Sequence, residues 1–446
     1  MKRTNLFLLG MICAIPLFGQ QPYEHFDLSQ YKLPDIVRNQ LDLSVKLSGD
    51  LEAGEEERES YQAGGHFQPA FERYRNSESF RGTQSLTLSL DAAYNRNYAK
   101  EKQGNYEAEL AYANSSRFYV GQGRFVELGG KALLRFQGDK RRTEEPDWAK
   151  GSDQCVQLNL PILAGKGRIE RVEDARQAIY ILQDLAKRNL LTRTLTDDEV
   201  IRFAELISIV KNQRFFDARL HTIDEITAVD SFLVAGGLLA SQGAAYFTTL
   251  YDNWQYGDRF QRKSGQELYG GVAPLLGYER HTAAGYPDEK DFSAGAQALA
   301  AWEYEKPRNL YWQHSAHVRI DGGYRYDNLR FRDSQCYDNY WAALDGAFAW
   351  GYYPNTRTNV NLTIAEQLRN DWETPRAEEL GDCRTFGSLT TASVDMYYYF
   401  SPQVRLALNA LCGFQYAHHS YGNTLPSRDI TKVKAGFMAT ITYSFF

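Results

Sequence analysis

Beyond Gln20 the sequence has no apolar run long enough to cross a membrane as a helix, which takes about 20 consecutive apolar residues. Cysteine is scarce, at 5 in 446 residues, and no CxxC or Cys/His spacing occurs. A disulfide scaffold and a structural zinc site are thereby excluded. No G-x-S-x-G or H-E-x-x-H motif appears either. An excess of basic charge is also missing: 50 Lys and Arg stand against 56 Asp and Glu, for a net charge of -6, so nothing calls for a nucleic-acid partner. The mean hydropathy of -0.51 would ordinarily describe a soluble protein.

What is present overturns that average. The N-terminus runs Met1-Lys2-Arg3, an apolar stretch from Leu6 to Phe18, then Gly19-Gln20. This order of basic, short apolar and small residues reads as a secretory signal over residues 1–20, followed by a periplasmic tail over 21–39. The mature chain is rich in aromatics, with 30 Tyr and 24 Phe, and its apolar residues alternate. Leu41, Leu43, Val45 and Leu47 share one face, with Asp42, Ser44 and Lys46 on the other. Tyr106, Ala108, Leu110 and Tyr112 oppose Glu107 and Glu109, and Val126, Leu128, Leu134 and Phe136 oppose Glu127, Lys131 and Arg135. Similar rows continue to Val433, Ala435, Phe437, Ala439 and Ile441. Period two with one oily face is a strand, and an oily row ending on Tyr, Trp or Phe suits a strand crossing a lipid interface. Such strands dilute hydropathy by about half, which is why window averages miss them.

Short connections such as Gly121-Gln122-Gly123 and Pro354-Asn355 alternate with longer polar ones such as 139–150 and 371–384. The fold expected is an all-β transmembrane barrel of about 14 antiparallel strands, within roughly 12 to 16. It occupies residues 40–166 and 241–446. A secreted sandwich or propeller also alternates, but its strands run shorter than the roughly 9 to 11 residues a tilted membrane strand needs.

Between them, over 167–240, the period changes to that of helices. Val172, Ala175, Ile179, Leu182 and Ala186 form one stripe. Thr196-Asp197-Asp198-Glu199 is a capping box opening a second helix with Val200, Phe203, Ile207 and Val210. A third run carries Phe216, Leu220, Ile223, Ile226, Val229 and Leu233 and stops at Gly236-Gly237. The expectation is a three-helix insertion, either a plug of the barrel mouth or a platform for a periplasmic protein.

The chain closes on Ile441-Thr442-Tyr443-Ser444-Phe445-Phe446. With the signal and the alternation, this ending resembles outer-membrane β-barrels of the Bacteroidota type, from about Gln40 to Phe446. The final Phe446 departs from the pattern by falling out of phase with the oily row. The resemblance implies the outer membrane of a Gram-negative bacterium, contact with its lipid, and recognition of Phe446 by the barrel-assembly machinery. The function expected is a porin-like channel for small solutes. The alternatives are a scaffold that binds a partner through the insertion, and an outer-membrane hydrolase using His418-His419-Ser420 with Asp395 or Asp429. No cofactor or metal is expected.

Pore-lining candidates are the charged residues opposite the oily rows: Glu107, Glu109, Lys131, Arg135, Arg319, Asp321, Asp345, Asp395 and Arg405. Cys336 and Cys383 both fall in expected outer loops, and an oxidising compartment favours a disulfide between them. About six strands precede the insertion and about eight follow it, so even numbers put both its ends on the side of the termini. Protease added to intact cells should therefore leave Arg188 and Lys211 uncut; cleavage at either would place the insertion outside.

Overall fold

A computed structural model describes residues 22–52, 60–96, 101–142, 149–212, 218–256, 261–329, 335–375, 381–401, 404–421 and 425–443. The signal segment 1–20 and Phe446 lie outside the described residues. The first barrel section consists of β1 (Ile36–Glu52), β2 (Ser60–Asn76), β3 (Phe80–Arg96), β4 (Lys102–Val120), β5 (Arg124–Arg142), β6 (Ala149–Asn159) and β7 (Ile162–Arg171). Four helices follow: α1 (Glu173–Lys187), α2 (Asp197–Asn212), α3 (Ala218–Ala235) and α4 (Ala244–Tyr256). The barrel resumes with β8 (Lys263–Ala283), β9 (Glu289–Pro307), β10 (Trp312–Leu329), β11 (Gln335–Tyr352) and β12 (Thr358–Pro375). It ends with β13 (Cys383–Tyr399), β14 (Val404–Tyr421) and β15 (Leu425–Tyr443).

All fifteen strands belong to one antiparallel sheet in sequence order, with β6 and β7 both lying between β5 and β8. The two are one strand broken at Leu160-Pro161. Lys131 pairs with Asn159 and Leu128 with Ile162, so the register with β5 is unchanged across the break. Proline has no N–H to give to a ladder, yet the Pro161 carbonyl still accepts from the Gly129 amide at 2.8 Å. Fifteen strands therefore fill fourteen positions, six before the insertion and eight after it, in agreement with the alternation of the sequence. Among the described residues no ladder joins β1 to β15.

The oily rows face outward: Leu43, Leu134, Ile320 and Phe437 are all exposed. Strands β1 and β8, of 17 and 21 residues, would measure about 56 to 69 Å at roughly 3.3 Å per residue. Even tilted, that exceeds the hydrocarbon layer of about 30 Å. The strands continue past the apolar rows into stretches such as 139–150 and 371–384, expected to be loops. The short turns, the described end of β15, the tail and the helices share one end, the turn side; the longer connections lie on the other, the loop side.

The insertion differs from expectation in two ways. It starts at Glu173 instead of residue 167, because β7 stays paired with β8 to Arg171. It also holds a fourth helix, α4, where barrel was expected. The buried row of α4 mixes Tyr246, Leu250 and Trp254 with Thr249 and Asn253, which hides an amphipathic stripe from a reading of aliphatic spacing. Twelve of the 15 residues of α1 are buried; it is the central helix. The capping box forms as expected: Glu199 accepts from the Thr196 amide at 2.9 Å, and the Glu199 amide donates to the Thr196 hydroxyl at 3.4 Å.

Arg193 grips the same carboxylate through both terminal nitrogens, at 2.8 and 2.7 Å. This hydrogen bonding, with the Thr196 amide, holds Glu199 down to about 2. A depressed carboxylate contributes stability that is present above its unfolded value and lost as pH falls through its folded one. The gap in thermal midpoint between Glu199→Gln and the parent should thus be open at neutral pH and close between about pH 4.5 and about pH 2. A gap unchanged by acid would refute it.

Candidate functional site

The register assigns every strand residue to a face. Arg81 of β3 and Glu267 of β8 form an ion pair at 2.6 Å although three positions separate their strands, so both point to the concave side. Ladder by ladder, the same parity places all nine pore-lining candidates on that side. Glu109 stands opposite Arg135, Arg319 opposite Asp345, and Lys131 between Ala113 and Asn159. Glu107 stands opposite Gln137 and Arg405 opposite Tyr399. Arg319 pairs along its own strand with Asp321 at 3.0 Å, and Asn409 donates to Asp395 at 2.5 Å.

Nearer the turn side lies a cluster that sequence reasoning did not assemble. The Arg117 guanidinium is held by Glu127 at 2.5 Å and by Glu267, and is flanked by the Phe125 and Tyr269 rings at 4.8 and 4.9 Å. Glu267, 1 % exposed, also accepts from Arg81 and from the Ile169 amide at 2.9 Å. It gets there because β7 and β8 approach closely: Gly167 and Gly265 have φ of 107° and 126°, and a Cβ on either would strike the backbone of the other strand. Phe125, Leu163, Ala273 and Ala301, all buried, surround the cluster. This part of the lumen is filled. The residues involved span Arg81 to Glu267, so no local pattern signals them.

Beneath it the helices and tail cross the turn-side mouth. Phe26, Leu28 and Tyr31 of the tail join Val172, Ile179, Phe203, Leu233 and Trp254 of the insertion in one core, with Leu310 from the turn between β9 and β10. Contacts reach the rim at several strands. Asn76 at the end of β2 donates to the Leu33 carbonyl at 3.1 Å. The Tyr180 hydroxyl of α1 donates to the Tyr353 carbonyl after β11 at 3.0 Å. Arg357 pairs with Asp252 of α4 at 2.6 Å, Tyr256 packs edge-on against Tyr399 of β13, and α2 leans on β1.

Arg262, fully buried before β8, donates to Gln313 and to the carbonyls of Asn309, Leu310 and Trp312 at 2.6 to 3.1 Å. Burial, with the Arg176 charge nearby, pulls it down to about 10, and burial pushes Tyr180 up to about 12.

Of the hydrolase candidates, the two histidines are separated. His418 meets Asp429 at 2.7 Å, while His419, on the opposite face, meets Thr385 at 3.1 Å; adjacent strand residues cannot serve one site. His418–Asp429, His66–Asp91 and His281–Asp153 are all directly opposed pairs joining neighbouring strands. Among the described residues no group of three or more His, Cys, Asp or Glu could hold a metal.

The expected Cys336–Cys383 disulfide is corrected: Cys383 is a free thiol. Cys383 pairs with Glu373 of β12, which leads to Asn339 of β11, three residues from Cys336. Two strand spacings and three residues amount to about 14 Å, twice the reach of a disulfide at about 7 Å.

No protein-family model matches the sequence, and no curated protein matches it. Among solved structures, the translocator domain of autotransporter NalP from Neisseria meningitidis aligns at 10% identity and a TM-score of 0.32, over 82% of this chain and 88% of that one. OmpT, an outer membrane protein of Vibrio cholerae, aligns at 6% identity and 0.24, over 91% of this chain and 100% of its own. OccK7 (OpdD) of Pseudomonas aeruginosa aligns at 8% and 0.16, over 91% and 99%.

Breaking a buried ion pair from one side leaves the other charge without compensation, at a cost of about 3 to 5 kcal/mol. Glu267→Gln should lower stability to urea in detergent micelles by about that much, and Lys150→Gln on the exposed loop side by less than about 0.5 kcal/mol. Equal effects would mean that the cluster adds no stability.

Proposed function

We propose that this chain is an outer-membrane β-barrel that admits small polar solutes from the loop side and is stopped at the periplasmic side by its own helices: a capped channel. The outward rows of apolar and aromatic residues suit lipid, and the face opposite them carries charges of both signs, as a water-filled lumen does. The observation that carries the reading is the position of the insertion. It is fused to the N-terminal tail in one core, and together they touch the rim at β1, at the end of β2, at the β9–β10 and β11–β12 turns and at the end of β13. A freely swinging platform would have no use for Arg262 buried among rim carbonyls.

A scaffold remains the second reading because the insertion also exposes apolar side chains. Ile223 is 77% exposed, against the expectation that its helical row is buried, and Phe247 and Tyr251 are exposed too. A periplasmic partner would cover these.

Conductance in a planar bilayer decides between open and capped. The parent protein should be silent or flicker, while a variant with Tyr180→Phe and Arg357→Ala, whose cap has lost two rim contacts, should show longer openings. Steady conductance by the parent would sink the capped reading. Silence of both, with a periplasmic protein retained by the parent and lost on Ile223→Asp, would favour the scaffold.

A further inference from the structure

A cavity of about 740 Å³ opens on the concave face between β3 and β10. It begins four residues along β5 from Glu127, on the loop side of the filled cluster. Its lining carries opposite charge at two heights of one stretch of wall. At the turn-side end, Lys131 makes no ion pair with any described residue, its cross-strand neighbours being Ala113 and Asn159. Four residues toward the loop side on β8, Glu279 stands opposite Asp291, and the Cys155 thiol donates to it at 3.6 Å; no described cation pairs with Glu279. The remaining lining charges, Arg325 and Asp327, neutralise each other at 2.8 Å. Beside Lys131, the Asn159 side-chain oxygen is buried and accepts no hydrogen bond from a described residue.

Ionisable groups at membrane depth are costly unless partnered, so two of opposite sign left apart across a cavity define what would fill it. We propose that this cavity binds a short peptide with both termini free, its carboxylate on Lys131 and its ammonium on Glu279. The proposal rests on the lumen being reachable from the loop side, as in the reading above.

Spacing sets the length. Lys131 leads through Asn159 to Leu275, four residues from Glu279, which puts the two Cα atoms about 16 Å apart at strand spacings of roughly 4.8 and 3.3 Å. With the two side chains leaning along the wall toward each other, roughly 6 to 10 Å remains between the charged groups. An extended peptide of two or three residues, at about 3.3 to 3.6 Å each, covers that gap; a single amino acid cannot reach both charges. Between the charges, Gln157 and Asn159 offer partners for peptide amides, and Leu133 and Leu275 a surface for small side chains. A neutral sugar would leave both charges without a partner.

The test is isothermal titration of the full chain in detergent with trialanine, N-acetyl-trialanine and trialanine amide. Trialanine should bind saturably, and blocking either terminus should weaken it about tenfold, the scale of one charge-assisted hydrogen bond. In Lys131→Met the amide and the free acid should bind equally while acetylation still weakens binding; in Glu279→Gln the pattern should reverse. Circular dichroism and heat-modified mobility confirm that each variant is folded. Failure of trialanine to bind, equal binding of all three ligands, or parent-like discrimination by both variants would overturn the proposal. Such a result would leave the capped channel standing, since conductance tests that separately. A parent protein that conducts steadily yet discriminates the three peptides would sink the cap and keep the site.

Discussion

In hydrocarbon no water is available to a backbone N–H or C=O, and each one left alone costs several kcal/mol. The continuous ladder from β1 to β15 answers that constraint, and much else follows from it. It explains why Pro161, which cannot donate, interrupts the strand assignment without shifting the register. Filling fourteen positions, an even number, brings β15 back toward the end where β1 begins. Tail, insertion and the end of β15 therefore meet on one side, where a single core can bind the first two together. The same arithmetic makes β1 and β15 antiparallel, so any ladder between them would be an antiparallel one.

Local and periodic features were legible in the sequence. Period two found the strand positions because lipid on one side and a polar lumen on the other leave little choice at each residue. The capping box at Thr196 and Glu199 was equally plain, since its partners are three residues apart. Features made by residues distant in sequence were not. Arg81, Arg117, Glu127 and Glu267 meet only because β7 and β8 approach so closely at two glycines with positive φ. The helix α4 escaped because its buried row carries Thr249 and Asn253, satisfied by hydrogen bonds to Ala245 and Asp184. Ile223 was misread for the opposite reason: spacing tells which residues share a face, but not whether anything covers it. The cysteine pair failed on register, which loop positions alone do not contain.

Two patterns of charge divide the lumen. On β10 and β12, Arg319–Asp321, Arg325–Asp327 and Arg369–Asp371 pair at i and i+2 along a single strand. Each pair cancels its own field beside the wall and leaves the space before it open. On β3, β4, β5 and β8 the pairs join different strands, and the Arg117 guanidinium sits between two rings. Those contacts brace the wall and occupy the space. The distinction bears on energy as well as shape. A pair along one exposed strand contributes little, whereas a buried lattice fails as a unit once one member is removed.

These two halves assign different tasks to the cap and to the filled cluster. On the side of β3 to β9 a solute descending from the loops meets Arg117 and Phe125 before it meets a helix, so lifting the cap would not by itself clear that path. Toward β10 and beyond, the along-strand pairs leave the wall lined but not bridged, and α1 and α4 close the mouth through Tyr353 and Tyr399. If the capped-channel reading holds, the route would run along β10 to β15 and would depend on the cap alone. The cavity near Lys131 and Glu279 lies above the filled half, where, on the same reading, a bound solute would be held instead of passed. On that reading, binding and passage would be separable in space, and a change in one need not disturb the other unless it moves β10, the strand the two regions share.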